Sequence, residues 1–248
     1  MEKLRLNDVK NYVNKNIVPF HESKLKALEG MKLKAVLKKK NPYLFKAKNI
    51  GTAQELVTSL LDAFLSSSEE ELFGDFLEHL AIFISSKTCA GRKSSATGID
   101  FEFENNGTHY LVSTKSGPNW GNSAATKKQQ ESFQTAIKVL KQSKHTADVQ
   151  AVLGICYGKT RTSYLRGYLK VVGQNFWYFI SEDENLYTDI VEPLGFRARE
   201  HNAQFDSQKV RIINNFTAEF FKDFCTNGEI DWRKLVEFNS GNLDLKPK

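Results

Sequence analysis

The sequence has few cysteines and no long apolar run. Its three cysteines, Cys89, Cys156 and Cys225, lie far apart and form no Cys/His spacing typical of zinc sites. We therefore expect reduced thiols in a reducing compartment, and neither a disulfide framework nor a zinc centre. No apolar run reaches about 18 residues, so we expect no transmembrane helix. The charged N-terminal residues do not read as a secretory signal, and we expect a cytoplasmic protein.

A complete phosphate-binding loop is lacking as well. Residues 154–160 read GICYGKT after an apolar run, but only three residues separate their glycines, whereas the phosphate-binding motif requires four. We therefore expect no nucleotide cofactor. His79 follows Glu78 directly, yet no second histidine stands at the spacing that a zinc metalloprotease requires. That class of enzyme is excluded too.

The composition is that of a globular protein with a basic balance. The chain has 248 residues, of which 40% are hydrophobic, and its net charge is +6. This length suits a single α/β domain over residues 1–248, and we find no internal repeat, low-complexity tract or linker. Residues 1–50 are predicted to form a basic, helical N-terminal arm. The positive charge favours a polyanionic partner, either nucleic acid or an anionic membrane surface.

Hydrophobic periodicity predicts a mixture of helices and strands. Residues 53–65 have helical spacing, and Ser68 with Glu71 forms a capping box that predicts the start of a new helix. The apolar run 149–157 predicts a buried central strand, and one or two strands broken at Gly173 follow it. Together with a hairpin, these elements predict an α/β fold with a mixed central β-sheet of about five strands flanked by helices.

The hairpin is the strongest local signal in the chain. Apolar and polar side chains alternate on both sides of Asn106-Gly107, the dipeptide most typical of a two-residue hairpin loop. Such a loop sets Asp100 opposite Ser113, and Lys115 shares their face because it lies two residues beyond Ser113. In isolation an acid beside a lysine could be an exposed ion pair worth less than about 1 kcal/mol. The apolar flanking residues instead indicate a buried hairpin.

These residues resemble the signature of a nuclease superfamily. Gly98-Ile99-Asp100, followed by Ser113-Thr114-Lys115, resembles the D…(D/E)xK motif of the PD-(D/E)xK nucleases. Two longer stretches, YLVSTKSGPNWGNS at 110–123 and KNPYLFKAKN at 40–49, resemble type II restriction endonucleases of that superfamily. The resemblance covers roughly residues 40–125.

The resemblance implies a fold and a reaction. The fold would be restriction-endonuclease-like, and the reaction would be hydrolysis of phosphodiester bonds in double-stranded DNA at a short palindromic site, in a prokaryotic cytoplasm. The implied partner is DNA and not a membrane, and a palindromic site implies a homodimer with matching two-fold symmetry. Asp100 would hold the cofactor, Mg²⁺, which prefers oxygen ligands. Lys115 would orient the attacking water or stabilise phosphate oxygens.

The chain departs from the family pattern at Ser113. That position normally holds Glu or Asp, and a serine hydroxyl is a poor replacement for a carboxylate on Mg²⁺. Glu78, in a G-x-x-x-E pattern that begins at Gly74, and Glu131, in the helix after the lysine, are candidates for a relocated acid. Glu102 is a third candidate of lower weight, and each of these acids could instead be solvated. The predicted catalytic group is Asp100, Lys115, Glu78, Glu131 and Ser113, with Asp100, Glu78 and Glu131 as candidate metal ligands.

The loop that follows Lys115 is predicted to contact DNA. Asparagine can pair with adenine, tryptophan can stack on bases, and lysines can bind phosphates. The predicted DNA-binding residues are Asn119, Trp120, Asn122, Lys127 and Lys128. An ordinary capped loop is the alternative. Two other functions stay open: a repair or recombination nuclease on the same core, and a non-catalytic DNA-binding protein on a degenerate nuclease core.

Overall fold

The computed structural model describes residues 1–144, 148–196 and 198–244. The helices are α1 (Leu6–Glu29), α2 (Leu33–Leu37), α3 (Pro42–Ala47), α4 (Ala53–Thr88), α5 (Ser123–Lys144), α6 (Gln174–Ser181), α7 (Leu186–Asp189), α8 (Val191–Leu194), α9 (Ala198–Phe224) and α10 (Trp232–Ser240). The strands are β1 (Arg92–Lys93), β2 (Phe101–Asn105), β3 (Thr108–Lys115), β4 (Asp148–Ile155), β5 (Ser163–Leu165), β6 (Tyr168–Val172), β7 (Cys225–Thr226) and β8 (Glu229–Ile230). Within the described ranges, no helix combines the length and apolar character needed to span a bilayer.

The chain divides into two compact units. Unit 1 contains Met1–Phe20 and Leu72–Phe196, and unit 2 contains His21–Glu71 with the described residues that follow 197. Unit 1 carries the large β-sheet, whereas unit 2 is mainly helical. A single domain over the whole chain, with residues 1–50 as an arm, stays a prediction.

Unit 1 is built on a six-stranded sheet in the order β1-β2-β3-β4-β6-β5. Strands β3, β4 and β6 are parallel, and the remaining pairs are antiparallel. The predicted mixed sheet with flanking helices is therefore confirmed, with six strands in place of about five. Because β3 and β4 run in the same direction, their carboxyl ends meet at one edge, which carries Lys115 and Ile155.

The predicted hairpin is present with the predicted register. Asn105 pairs with Thr108, so the loop has two residues. Asn106 and Gly107 have φ values of 50° and 80°, the positive pair that a type I′ turn requires. The same register carried one residue beyond β2 sets Asp100 opposite Ser113.

The two faces of the sheet pack against different helices. Alternate residues of a strand point to opposite faces, so Phe101 and Val112 belong to one core and Leu111 to the other. The first core includes Leu80 and Ile84 of α4, and the second includes Phe133 and Ala136 of α5. The end of β3 and the start of β2 are therefore held between two helical layers.

The predicted helix start at Ser68 is wrong, because α4 continues without a break from Ala53 to Thr88. A serine in a helix can also bond to a backbone carbonyl of the preceding turn. Ser67 does so, with its Oγ 3.1 Å from the Ala63 carbonyl oxygen. The capping-box pattern was therefore a helix-interior sequence.

The strand expected after Gly173 is also absent within the described residues. Strand β6 ends at Val172, and the chain turns into α6. Phe176, Trp177 and Ile180 then fall on one buried face of that helix, which packs in the first core. Their spacing is that of one face of a helix and not the every-second-residue spacing of a strand.

Unit 2 has its own apolar core. It is formed by residues of α2, α3, α9, α10 and the first part of α4. The side-chain amide of Asn239 in α10 donates to the Leu37 and Lys40 carbonyl oxygens at 2.6 and 3.1 Å. These bonds attach the end of α2 to α10.

Replacing Trp177 by phenylalanine tests how α6 is anchored to β4. The indole Nε1 donates to the Cys156 carbonyl oxygen at 2.9 Å in a buried position. Trp177→Phe should lower the free energy of unfolding by about 1–3 kcal/mol, because it leaves a buried carbonyl unsatisfied. Urea unfolding measures the change. Tyr178→Phe, at an exposed neighbour, should change little, and an equal loss in both variants would contradict the anchoring role.

Candidate active site

Asp100 lies at the sheet edge and is held by backbone and side-chain donors. The Thr114 N–H donates to its Oδ2, and the Ser113 hydroxyl lies 3.5 Å from the same oxygen. Its own N–H donates to the Val112 carbonyl at 2.9 Å. Burial raises the pKa of Asp100, while the Thr114 N–H, Lys115 and Ser113 act to lower it. The hairpin therefore orients the carboxyl group. Its hydrogen bonds and the nearby lysine charge do not fully replace the hydration that it loses on burial.

Ser113 is fully buried and bonds to a residue that the sequence did not single out. Its exposure is 0%, and its Oγ lies 3.1 Å from Oε1 of Gln129, which is 7% exposed. The Gln129 amide nitrogen donates in turn to the Gly98 carbonyl at 3.0 Å. Gln129 thus connects the end of β3 with the segment that leads into β2. Ser113 acts in this network as an internal hydrogen-bonding group.

A sequence signal for Gln129 exists. It lies four and seven residues before Phe133 and Ala136, which form the buried face of α5. A polar side chain on the apolar face of a helix needs a partner in the interior.

Glycine is required at Gly98, because its φ is +78° and a Cβ there would lie 2.8 Å from Ser132 Oγ.

Glu78 reaches the same place from α4. Burial and then the charge of Asp100 raise the pKa of Glu78, whereas His79 and Lys115 act to lower it. The helix comes close to the end of β3 at Gly74, where a Cβ would lie 3.4 Å from that of Ser116. Buried Cys156 responds to both acids, since burial and then Glu78 and Asp100 raise its pKa. Glu78 therefore lies within electrostatic range of Asp100 and Lys115.

Lys115 is half-buried at the end of β3. Its carbonyl accepts a hydrogen bond of 2.9 Å from the Cys156 N–H. This bond joins the last residue of β3 to the residue that follows β4. Its Nζ lies 5.7 Å from the centroid of the Trp120 ring, within the range of a cation–π interaction. Trp120, predicted as a DNA contact, thus packs against the lysine and beside the second core.

Glu131 and Glu102 are engaged elsewhere. The Glu131 side chain is 61% exposed and lies 4.0 Å from Lys127. It is two residues from Gln129, about 200° further round the helix, and so points away from Ser113. Glu102 is paired with Arg92 at 3.0 Å and with His109 at 3.4 Å. Both acids line a cavity of about 750 Å³ beside α5.

The other predicted DNA-binding residues lie in and after the loop. Asn122 caps α5, since its Oδ1 accepts from the Ala125 N–H at 3.0 Å. Asn119, Lys127 and Lys128 are exposed. A role in DNA contact stays a prediction for each of them.

The donor set suits a hard divalent cation. Across the described ranges, no three His, Cys, Asp or Glu side chains are grouped as a ready-made metal cluster. Mg²⁺ requires only one or two protein carboxylates because it retains several waters. Asp100 and Glu78 supply two. Burial and then the charge of Asp100 raise the pKa of Glu78, and a bound cation would relieve the repulsion between the two carboxylates.

A mixed sheet with helices on both faces is consistent with the restriction-endonuclease-like fold. The chain matches the family model described as type II restriction endonuclease EcoO109I over residues 7–202, about four-fifths of its length. It therefore belongs to that family, which places it among the DNA-binding nucleases. A search of curated proteins found no match.

The raised pKa values predict how the metal-free protein responds to pH. A carboxyl whose folded pKa exceeds its unfolded value, about 4 for Asp and Glu, binds its proton more tightly when folded. The free energy of unfolding should therefore fall as the pH rises through the raised pKa values of Asp100 and Glu78. Asp100→Asn and Glu78→Gln should each reduce this fall, as measured by urea unfolding in EDTA across a pH series.

Glu131→Gln is the control for that series, because its side chain is exposed. Its pH profile should follow that of the wild type. Profiles of Asp100→Asn and Glu78→Gln that also match the wild type would show that folding does not raise the pKa of either acid.

The Gln129 network can be tested by removing its amide. Gln129→Leu keeps the approximate volume but leaves the Gly98 carbonyl and the Ser113 hydroxyl without this partner. The free energy of unfolding should fall by about 1–3 kcal/mol. Gln134→Leu, at an exposed position of α5, is the matched control and should be nearly neutral. Equal effects of both substitutions would rule out a connecting role for Gln129.

Proposed function

We propose that the protein is a Mg²⁺-dependent type II restriction endonuclease that cleaves double-stranded DNA at a short palindromic site. The observation that carries the proposal is the close approach of α4 to the end of β3 at Gly74 and Ser116. Burial and then the charge of Asp100 raise the pKa of Glu78, which is therefore within electrostatic range of Asp100. Membership of the EcoO109I family supports the same reaction class.

In this proposal Asp100 and Glu78 hold the metal ion. When bound, Mg²⁺ neutralises phosphate charge and lowers the pKa of bound water. The Thr114 N–H keeps one Asp100 oxygen in place, so the carboxylate is oriented before substrate arrives. Lys115 supplies a positive charge for the phosphate oxygens or orients the attacking water, and its contact with Trp120 restricts where the ammonium group can lie.

Ser113 has a positioning role in this scheme. Its side chain is inaccessible to solvent, and its Oγ faces Gln129 and Asp100. The second acid of the site is then Glu78 on α4, because Glu131 points into solvent. Asn119, Lys127 and Lys128 are proposed to contact DNA around this site. A palindromic recognition sequence implies that the enzyme acts as a homodimer. Its proposed location is the prokaryotic cytoplasm.

A second candidate function is DNA binding without cleavage. It is favoured by one observation, which is that Ser113 occupies the position where an acid is expected and is buried in a neutral hydrogen-bonded network. The two functions differ in one outcome only, which is whether DNA is cut when Mg²⁺ is present.

Digestion of plasmid and genomic DNA with Mg²⁺ tests the proposal. The wild type should produce discrete fragments, whereas a repair-type nuclease would produce none of defined length. Asp100→Asn and Lys115→Ala should each lower the cleavage rate at least about a hundredfold, as expected when a charged group that stabilises the transition state is removed. Glu78→Gln should have a similar effect.

Glu131→Gln is the matched control and should cut within a few-fold of wild type. A wild-type protein that cuts no DNA in Mg²⁺ would favour the non-catalytic function. Normal cutting by Asp100→Asn would show that the site lies elsewhere, and a large loss in Glu131→Gln alone would move the second acid to α5.

A further inference from the structure

The positive charge of the chain is concentrated in one acid-free segment. Residues 30–54 contain seven lysines and no Asp or Glu, whereas the whole chain has a net charge of +6. The rest of the chain therefore has a net charge of −1. The basic balance that favours a polyanionic partner is a property of this segment of unit 2.

The segment is firmly attached to unit 2. Leu33, Val36 and Leu37 of α2 and Phe45 of α3 are buried in the core of that unit. Asn239 fixes the carbonyls at the end of α2. The lysines therefore lie within or next to two short helices that pack on this core, and not on a free tail.

Two of the seven lysines are already engaged. Lys34 pairs with Asp223 at 2.8 Å, and Lys40 donates to the Ala63 carbonyl at 3.0 Å. The other five are exposed, and none of them pairs with an acid among the residues that the structure describes: Lys32, Lys38, Lys39, Lys46 and Lys48. Five positive charges therefore stay unneutralised on this part of the surface.

Aromatic rings hold some of these lysines in place without neutralising them. Lys38 Nζ lies 5.4 Å from the centroid of Phe238, and Lys46 Nζ lies 5.2 Å from that of Trp232. Both rings belong to α10, so the two ammonium groups flank the same helix. A cation–π contact restricts a lysine while its charge stays available to an anion.

Two apolar side chains are exposed among these charges. Tyr43 is 62% exposed and Leu44 is 50% exposed, and both lie between Lys40 and Lys46. Their backbone N–H groups are bonded to the Asn41 side chain, which begins α3. We call these two residues and the five unneutralised lysines the lysine surface.

We propose that the lysine surface is a DNA-contacting surface of unit 2, one that binds backbone phosphates independently of base sequence. The choice of double-stranded DNA as the polyanion rests on the proposed function. Lysines that neutralise phosphates release condensed counterions, and such contacts position a protein on the duplex without reading it. Tyr43 and Leu44 give the surface an uncharged contact with sugars or groove walls.

Salt dependence of binding tests this directly. The full chain is titrated with a fluorescent duplex of arbitrary sequence in EDTA, so that no cleavage occurs, at several potassium chloride concentrations. Lys32→Gln, Lys39→Gln and Lys48→Gln are combined in one variant. The log–log salt slope should decrease by about 0.9 for each lysine–phosphate pair that the substitutions remove, and so by up to about 3. A fourfold rise in salt should then weaken this variant up to about fortyfold less than the wild type.

The matched control removes three exposed lysines outside the segment: Lys15→Gln, Lys138→Gln and Lys141→Gln. Both triple variants have the same net charge, so a non-specific charge effect would change their slopes equally and overturn the proposal. An unchanged slope in the lysine-surface variant would overturn it too. If that triple variant does not fold, Lys32→Gln and Lys39→Gln are tested singly, each with an expected decrease of about 0.9.

Tyr43→Ala combined with Leu44→Ala separates the uncharged contact from the charged ones. Its affinity should fall while its salt slope stays at the wild-type value, because every lysine that binds a phosphate is still present. A lysine-surface variant that no longer binds anionic phospholipid vesicles but keeps the wild-type DNA slope would overturn the proposal in favour of a membrane surface.

Cleavage is measured on the same proteins so that the two proposals can fail separately. A slope that decreases only in the lysine-surface variant supports this inference even if the wild type cuts no DNA. A wild type that cuts DNA while all the slopes stay equal refutes this inference and leaves the nuclease assignment intact.

Discussion

The half-buried carboxyl group of Asp100 is the constraint around which the candidate site is built. A carboxylate taken out of water is costly unless hydrogen bonds or opposite charges replace its hydration. The Thr114 N–H and the Ser113 hydroxyl replace part of it, and Lys115 adds a positive charge. Glu78 adds a second negative charge, and the repulsion between the two acids raises the free-energy cost of ionising both. The charge of Asp100 acts on Glu78, and a bound cation would relieve the repulsion between the two carboxylates.

The hairpin and the parallel pairing place those charges. A slip of one residue in the β2–β3 register would turn Asp100 to the other face of the sheet, and the type I′ turn at Asn106-Gly107 prevents it. The parallel pairing of β3 with β4 then brings Cys156 against the Lys115 carbonyl. Gln129 adds a tie between the two ends of the hairpin, because it bonds to both Ser113 and Gly98.

The prediction from sequence succeeded where the signal was short-range. The alternation around the turn was enough to predict the register and the shared face of Asp100 and Lys115. It failed at Ser68, where a capping-box pattern lies within a continuous helix. A short capping pattern does not end a helix when the residues on both sides of it are packed as one helix. The partner of Ser113 was missed for a related reason: a polar residue on an apolar helix face indicates a buried contact but does not identify the other side of it.

The type of the hairpin turn, the net charge and the acid-free lysine segment can be read from the sequence, since each follows from residue identities alone. Which acid lies within electrostatic range of Asp100 depends on how the helices pack. Glu78 precedes Asp100 by a helix end and an edge strand, and it comes within electrostatic range of Asp100 because α4 approaches the end of β3 at Gly74. Glu131 is nearer in sequence to Lys115 but faces solvent, because the apolar side of α5 presents Gln129 to the site instead. Which of the two acids faces the site depends on which side of its helix is buried. The buried side is set by the packing of the assembled core.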